Sequence, residues 1–521
     1  MSPSSVQPQP PPPSDPDSGL TARMQTLFSG SIVVFFGLLL RTGLLLLFEL
    51  IAARHLGPAG YGLFSLAFTV VVVTASLPVL GLQNSLRRFI SLKLETRETE
   101  LAHGLVLFGL IWPAALGSVL GAALFLAARP LGSALFGKPE LAPLLQALAL
   151  VVPLWSTRRL ATVIFSGYKK PLFKVVLEDL LEPGLRVVAA VLVAAAGWGA
   201  LRLGYGTLVA YVVVGAVAWG LVLKGKREVV GPQRGMRVPW RELLLFSSPL
   251  VVSELADLIL AWANLLLIGV LNVELEVGLF RAASQPPMLA SAILTSFAFI
   301  YLPTATELFV RGDRSGWKRA NNAVARWTLS LAFPVGVVCL IFPQAVITIV
   351  FGEEYRAGAL AMQLLGGTYL IHAACGFTGL NLVVAGHTKL QMIGTLLGLG
   401  ANVGASLLWI PRYGAAGAAA AILVSVVFRN TYNLVWMRVL LGLCPFNARY
   451  FRILAAHLAA TAVLAGGVFL LELPALAGLI VLGLLELPLA VLLGFRFGVF
   501  RSSDLEWIAR FRSQGRDPNG R

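Results

Sequence analysis

Uninterrupted apolar runs of about 20 residues recur along nearly the whole of this chain. A helix of about 20 apolar residues crosses a hydrocarbon layer about 30 Å thick. Backbone N–H and C=O groups have no water partner in lipid, so a spanning segment is a helix or part of a closed β-barrel. The runs here are continuous, whereas barrel strands alternate apolar and polar residues. We therefore predict an all-α polytopic membrane protein.

We predict about 14 transmembrane helices, and no polar segment between them is long enough to fold alone. Only 13% of the residues are charged, whereas a soluble globular protein carries about 25%. The predicted spans lie at about 29–52, 61–86, 101–127, 143–166, 172–197, 201–223, 243–270, 276–303, 326–350, 358–384, 388–411, 414–437, 450–471 and 474–495.

The basic residues between these spans follow a strict alternation. One alternate set of connections holds 29 lysines and arginines and the other set holds 6, while the remaining 6 of the 41 lie within spans. Because basic residues accumulate on the cytoplasmic side, we predict a multi-pass protein of the cytoplasmic (inner) membrane with both termini in the cytoplasm. This topology accounts for the net charge of +16, so we predict no nucleic-acid partner.

An internal repeat divides the chain. The sequences FSGS at 28–31 and GLF at 62–64 return as FSSP at 246–249 and GLF at 278–280. Further on, Gly167 pairs with Gly386 and Gly184 with Gly404, and the four offsets are 218, 216, 219 and 220. An even number of spans in each copy gives both copies the same orientation, which is a parallel repeat. We predict two pseudo-symmetric six-helix lobes followed by two further helices.

The predicted organisation has six parts. They are a Pro- and Ser-rich disordered cytoplasmic tail at 1–24, an N-terminal lobe at 25–224, a cytoplasmic loop at 225–242, a C-terminal lobe at 243–445, helices 13 and 14 at 446–497, and a cytoplasmic tail at 498–521. Two helical lobes joined by short loops are typical of a secondary transporter, in which rocking of the lobes alternates access to a central path.

The sequence carries none of the motifs of the common membrane-bound enzymes. It has no G-x-x-x-x-G-K-[ST] phosphate-binding loop and no H-E-x-x-H metal motif. The five histidines are scattered, and the three cysteines lack C-x-x-C spacing. We therefore predict no catalytic residue, no metal site, no cofactor and no enzymatic activity.

A short turn between the first two spans carries a family resemblance. The turn reads RHLGPAGYG at 54–62, and the second span ends with Gly81, Leu82, Leu86, Arg88 and Phe89 in a G-L-x-x-x-L-x-R-F pattern. This stretch resembles polysaccharide transporters, the O-antigen and exopolysaccharide flippases of the multidrug/oligosaccharidyl-lipid/polysaccharide exporter superfamily. In that superfamily two six-helix lobes face each other in a V, and flippases commonly add helices 13 and 14.

The resemblance implies that the chain flips a polyprenyl-(pyro)phosphate-linked oligosaccharide across the cytoplasmic membrane for surface polysaccharide assembly. Membrane lipids, a polysaccharide polymerase and glycosyltransferases are the partners it implies. The alternatives are a drug/cation antiporter of the same fold and, less well supported, a membrane polysaccharide polymerase or ligase, because the external loops are short.

Basic residues within the spans are candidates for binding a pyrophosphate headgroup. A charge at membrane depth is costly and normally faces a cavity or a partner. Arg41, midway along the first span, is the strongest candidate, and Arg158, Arg159 and Arg281 are weaker ones. The alternative for Arg41 is an ion pair that holds two helices together.

The fifth span opens with a cluster of charges. Glu178, Glu182 and Arg186 are spaced i, i+4 and i+8, so they share one helix face, and Asp179 lies beside them. One interpretation is an ion pair internal to the helix, and the other is a cavity lining.

The seventh span carries Glu254, Asp257 and Asn264 along one stripe. We predict an ion-coupling site there, in which a carboxylate binds Na⁺ or exchanges a proton. Pairing with a basic residue of another helix is the alternative. Near the inner end of the twelfth span, Arg429, Asn430 and Asn433 either contact sugar hydroxyls or anchor the helix at the interface.

Overall fold

The computed structural model describes residues 16–96, 98–168, 172–224, 238 and 240–496. Within these ranges every regular element is helical and there is no strand, which confirms the all-α fold class. The helices before residue 225 are α1 (Pro16–Ser76), α2 (Leu82–Glu95), α3 (Thr99–Pro130), α4 (Leu141–Leu148), α5 (Val151–Gly167), α6 (Leu172–Lys174), α7 (Glu182–Ala195) and α8 (Ala200–Lys224).

Nine helices follow among the described residues of the second part of the chain. They are α9 (Trp240–Leu271), α10 (Glu274–Val310), α11 (Arg314–Ile341), α12 (Pro343–Phe351), α13 (Ala359–Cys375), α14 (Thr378–Val384), α15 (Thr388–Trp436), α16 (Ala448–Leu470) and α17 (Ala475–Arg496). Short π-helical segments lie at Leu131–Leu135, Val175–Leu181 and Met437–Leu441, and short 3-10 segments at Leu77–Val79 and Glu353–Gly358.

Ten helical stretches in the described part of the chain are long and apolar enough to cross a membrane, or eleven if α4 and α5, which meet at 42°, form one span. Two of the ten contain two predicted spans each, because α1 bends at Gly57 and α15 bends at Gly414. At Gly57 the backbone has φ 66° and ψ 173°, a conformation that glycine adopts without steric cost. Each of the 14 predicted spans overlaps a helix of the structure.

Two of the predicted segments contain the beginning of a helix. Helix α1 begins at Pro16, inside the segment predicted as a tail, and α9 begins at Trp240, at the end of the predicted loop between the lobes. The remainder of that tail at 1–15, the loop residues 225–237 and 239, and the C-terminal segment 497–521 lie outside the described residues.

The two predicted lobes meet in a reciprocal contact between α1 and α10. A Cβ atom on Gly62 would overlap the carbonyl oxygen of Glu274, and a Cβ atom on Gly278 would overlap the carbonyl oxygen of Pro58. Glu274 follows Pro58 by the same 216 residues that separate the two glycines. When a two-fold axis relates two units, each contact from the first unit to the second is repeated with the units exchanged. The GLF repeat found in the sequence thus lies at the pseudo-symmetric interface of the lobes.

Two basic side chains reinforce this junction at the end of the bundle that the topology predicts to be external. Lys138 Nζ donates to the carbonyl oxygens of Gly269 and Asn272, both at 2.7 Å, where α9 ends. Arg54 Nε donates to the carbonyl oxygen of Val350 at 2.8 Å, in the last turn of α12. Carbonyls in the last turn of a helix have no partner within the helix, and the helix dipole favours a cation there.

The last two helices, α16 and α17, pack against each other and against α11. His457 Nδ1 lies 2.9 Å from Glu486 Oε1 between them, and both side chains are buried. The ring of Phe333 on α11 lies 4.7 Å from the imidazole ring, centroid to centroid. This buried pair fixes the register of α16 and α17 against the C-terminal lobe.

Candidate functional site

A cluster of charged side chains lies within the N-terminal lobe, where α1, α5 and α7 meet the π-helical segment Val175–Leu181. Among the described residues it contains five basic side chains, Arg41, Arg158, Arg159, Lys174 and Arg186, and three carboxylates, Glu178, Asp179 and Glu182. We call this set the N-lobe cluster. The five positive and three negative charges leave an excess of two positive charges.

The inner layer of the N-lobe cluster is buried and fully engaged in ion pairs. Arg158 Nη2 lies 3.2 Å from Glu182 Oε2, and Arg158 Nη1 lies 3.6 Å from Glu178 Oε1. Arg186 Nη1 lies 3.9 Å from Glu182 Oε1, and the Tyr211 hydroxyl donates to the same carboxylate at 2.6 Å. Only 3% of the Arg158 side chain is exposed, and besides its ion pairs it lines a small, mainly apolar cavity of about 140 Å³, so Arg158 supports the cluster from the inside.

The outer layer of the cluster is open. Arg41, Arg159 and Lys174 are each about a third exposed, at 31%, 33% and 29% of the side chain. Arg41 Nη1 lies 3.9 Å from Asp179 Oδ1, Lys174 Nζ lies 3.5 Å from Asp179 Oδ2, and Arg159 Nη1 lies 3.1 Å from Glu178 Oε2. The buried carboxylates therefore hold three cations with part of each side chain accessible. Guanidinium and ammonium groups in this arrangement can bind phosphate oxygens.

Two consecutive acids of the π-helical segment both lie inside the lobe because they face different helices: Glu178 faces Arg158 and Arg159 of α5, and Asp179 faces Arg41 of α1. Glu178 and Asp179 are 1% and 0% exposed, although neighbouring residues of an α-helix point in directions 100° apart. The wider π turn also brings Lys174 to Asp179, five residues later. Lys174 is not among the residues predicted for the site, because α-helical spacing of three or four residues does not bring it to Asp179.

Arg281, the fourth basic residue predicted for the cavity, lies outside the N-lobe cluster. Its Nη2 atom is 2.6 Å from Glu49 Oε1, and Tyr61 also donates to this carboxylate. Glu49 and Tyr61 belong to α1 and Arg281 belongs to α10, so the pair links the two lobes. The structure thus brings together three of the four predicted cations and places the fourth at the lobe interface.

Glu254 and Asn264, predicted as ion-coupling residues, each have partners of their own. Glu254 accepts a hydrogen bond from the backbone N–H of Gly81 at 2.8 Å and another from the side chain of Asn84 at 3.2 Å, across the lobe interface. Asn264 bonds to Asn402 at 3.1 Å and accepts from Ser406 at 2.9 Å. Both side chains therefore join α9 to neighbouring helices.

Asp257, the third of these residues, opens into a cavity of about 320 Å³ in the C-terminal lobe. We call it the C-lobe cavity. Its polar side chains include Asp257, His372, Gln391, Arg429, Asn430 and Asn433. Asp257 and Arg429 interact electrostatically across it. Among the described residues no group of three or more His, Cys, Asp or Glu side chains is arranged to hold a metal ion.

A comparison with known families places the chain. A family model described as "Polysaccharide biosynthesis protein" matches residues 27–309, which is more than half of the chain. The chain belongs to the polysaccharide biosynthesis protein family. This match confirms the family resemblance inferred from residues 50–91. It also extends the similarity over most of the N-terminal half of the chain.

Two curated relatives match parts of this family member. An uncharacterized membrane protein of Methanocaldococcus jannaschii is 26% identical over 205 residues, which are 38% of each chain. The probable low-salt glycan biosynthesis flippase Agl15 of Haloferax volcanii is 22% identical over 185 residues, or 36% of this chain and 39% of the relative. The alignments span about two fifths of the length of these relatives.

Solved structures share the fold of this family member. The lipid II flippase MurJ in an inward closed conformation superposes with a TM-score of 0.69 at 13% identity, over 91% of this chain and 100% of that chain. A multidrug resistance MATE family transporter of the MOP superfamily, in an inward-facing conformation, gives 0.61 at 19% identity, over 77% and 94%. At such identities the likeness concerns the fold alone.

Proposed function

We propose that this protein flips a polyprenyl-(pyro)phosphate-linked oligosaccharide across the cytoplasmic membrane, as a transporter and not as an enzyme. The observation that carries the proposal is the open outer layer of the N-lobe cluster. Its accessible cations, Arg41, Arg159 and Lys174, supply charge-assisted hydrogen bonds for an anionic headgroup. Membership of a polysaccharide biosynthesis family supports a glycan substrate.

The proposed mechanism is alternating access between the two lobes. The junction built by Gly62, Gly278, Lys138 and Arg54 holds the predicted external ends together. In this state the substrate would enter from the cytoplasmic side, and separation of the junction would expose it to the outside. The lipid tail would stay in the bilayer while the headgroup crosses between the lobes.

Coupling to an ion gradient is part of the proposal and centres on Asp257. A carboxylate in a cavity at membrane depth can exchange a proton or bind Na⁺. Arg429 interacts with this carboxylate electrostatically, so a coupling ion competes with the guanidinium for Asp257. A proton needs only the carboxylate, whereas a metal cation needs several oxygen ligands, and we therefore propose proton exchange. Glu254 and Asn264 contribute to lobe and helix packing in this scheme.

The second candidate function is a drug/cation antiporter, because MATE transporters share the fold. The excess of two positive charges in the N-lobe cluster argues against it, since a cationic drug would be repelled there.

Proteoliposomes separate the two candidates. The purified chain would be reconstituted with a fluorescent undecaprenyl-pyrophosphate-linked oligosaccharide, and its movement between leaflets would be read with a membrane-impermeant quencher. We expect translocation of the lipid and no efflux of ethidium under an imposed proton gradient. Ethidium efflux without translocation of the lipid would overturn the proposal in favour of the antiporter.

A further inference from the structure

The C-lobe cavity is lined by a break in a membrane helix. Helix α13 ends at Cys375 and α14 begins at Thr378, and Gly376 between them has φ 65° and ψ −146°. Gly376, Phe377 and Thr378 all line the cavity. Non-helical backbone at membrane depth is tolerated where it lines a polar cavity, and interrupted helices mark binding sites in secondary transporters. The break therefore indicates a binding site.

The charges of the C-lobe cavity balance. Among the described residues, one carboxylate, Asp257, and one guanidinium, Arg429, line it. His372 also lines it, and its Nδ1 atom lies 3.1 Å from the amide nitrogen of Asn430. An amide nitrogen only donates, so Nδ1 accepts the bond and the imidazole is neutral. In contrast to the N-lobe cluster, the described lining of this cavity carries no net charge when Asp257 is ionised, so a neutral polar group of the substrate suits it.

One hydrogen-bond acceptor of the cavity lining is unpaired. Asn433 is 4% exposed, and its Oδ1 atom has no hydrogen-bond partner among the described residues. A Cβ atom on Gly379 would lie 3.1 Å from Asn433 Nδ2, and one on Gly394 would lie 2.7 Å from Oδ1. The two glycines thus make room for this amide. A buried polar group without a partner is costly, and a turn of the Asn433 side chain toward the cavity, which this residue lines, would let a ligand donate a hydrogen bond to it.

We propose that the C-lobe cavity is a carbohydrate-binding subsite for an uncharged sugar of the oligosaccharide whose pyrophosphate binds at the N-lobe cluster. This inference rests on the proposed function. A sugar hydroxyl both donates and accepts, and the cavity offers acceptors at Asp257 and Asn433 beside donors at Arg429 and at Gln391, whose Nε2 also donates to Thr395 Oγ1 at 3.2 Å. Its volume of about 320 Å³ lies at the lower end of the range for small-molecule pockets, about 300–1,000 Å³.

Binding measurements on the full chain in nanodiscs test this subsite. The two probes are undecaprenyl pyrophosphate and the lipid-linked oligosaccharide extracted from the producing cells. We expect the wild-type chain to bind the oligosaccharide lipid at least about tenfold more tightly than the bare carrier, since several hydrogen bonds contribute. Asn433→Ala and Gln391→Ala should each remove about three- to tenfold of this preference and leave the Kd for the bare carrier unchanged.

Gln363→Ala is the matched control, because Gln363 donates to the carbonyl oxygen of Leu340 and lines a different pocket. It should retain the full preference. If Asn433→Ala does not fold, as judged by its melting temperature, the subsite is tested with Gln391→Ala alone. Equal binding of both probes by the wild-type chain, or full preference in a folded Asn433 or Gln391 variant, would overturn the subsite and leave the proposed function standing. Binding of neither probe would overturn the proposed function itself.

Discussion

The amine of Lys138 lies 2.7 Å from the backbone carbonyl oxygen of Asn272, and this hydrogen bond joins the two lobes at their predicted external ends. Lys138 follows the π-helical segment Leu131–Leu135 of the N-terminal lobe, while Asn272 directly follows α9 in the C-terminal lobe. Burial lowers the pKa of Lys138, and nearby Glu274 opposes the shift. An amine held in this way stabilises one arrangement of the lobes and must release its acceptors before the lobes separate.

Replacing Lys138 should therefore loosen the external junction. In a chain whose native cysteines are replaced by serine, the buried Ser65→Cys substitution on α1 would report opening through labelling by a membrane-impermeant maleimide. We expect Lys138→Ala to raise the labelling rate about tenfold or more, because a charged hydrogen bond contributes about 1.5–3 kcal/mol. Lys138→Arg should raise it less. An unchanged rate in Lys138→Ala would show that this lysine does not hold the junction.

The reciprocal glycine contact should tolerate no added methyl group. Gly62→Ala places a Cβ atom on the carbonyl oxygen of Glu274, so the two backbones must move apart. Overpacking of this kind costs about 1–3 kcal/mol, which a fall in melting temperature would measure. Gly43→Ala on the same helix is the control, because nothing lies within 4 Å of its Cβ position. Equal melting temperatures for the two variants would contradict the tight contact.

Arg41 should be required for transport and dispensable for folding. Its side chain is 31% exposed and its ion pair with Asp179 is long, at 3.9 Å, so its loss disturbs little packing. We expect Arg41→Ala to abolish export of surface polysaccharide while the protein accumulates in the membrane, and Arg41→Lys to retain more export. Immunoblotting of membranes alongside a polysaccharide assay measures both. Normal export by Arg41→Ala would make Arg41 a structural residue.

The neighbouring residues Arg158 and Arg159 should behave differently. Removal of the buried Arg158 leaves Glu178 and Glu182 short of a partner, and breaking a buried pair costs about 3–5 kcal/mol. Arg158→Ala should therefore lower the amount of folded protein. Arg159 is a third exposed, so Arg159→Ala should keep the protein folded and weaken binding of undecaprenyl pyrophosphate. Fluorescence-detected gel filtration and a binding assay separate the two outcomes. Identical behaviour of the two variants would refute the division of the N-lobe cluster into a buried inner layer and an open outer layer.

Asp257→Asn should remove any dependence of transport on an ion gradient. The substitution keeps the shape of the side chain and removes its ability to bind a proton reversibly. Lipid translocation in proteoliposomes would be compared under imposed proton and Na⁺ gradients. We expect the wild-type chain to respond to the proton gradient, and the variant to respond to neither. A variant that still responds would exclude Asp257 from coupling.

Features repeated along the chain could be predicted from the sequence, and contacts between distant elements could not. Apolar runs mark helices because lipid leaves the backbone no alternative, and the GLF repeat marks equivalent helices of two lobes. The side-chain partners of Lys138 and Arg54 are backbone carbonyls of other helices. Every residue has a backbone carbonyl, so the residue type does not indicate such an acceptor. The proximity of Lys174 to Asp179 depends on a π turn, which a search with α-helical spacing does not detect.

The reciprocal contact of Gly62 and Gly278 has an evolutionary consequence. A dimer of two half-length chains would have to carry the same side chain on both sides of its symmetry axis, so a charge placed in one half would be duplicated in the other. A single covalent chain is free of that requirement. In the described part of the chain, one half holds five basic and three acidic groups around a single site, while the corresponding half has a cavity with one of each. Duplication of a half-length gene followed by fusion would allow a pseudo-symmetric protein to bind a ligand whose two ends differ in charge.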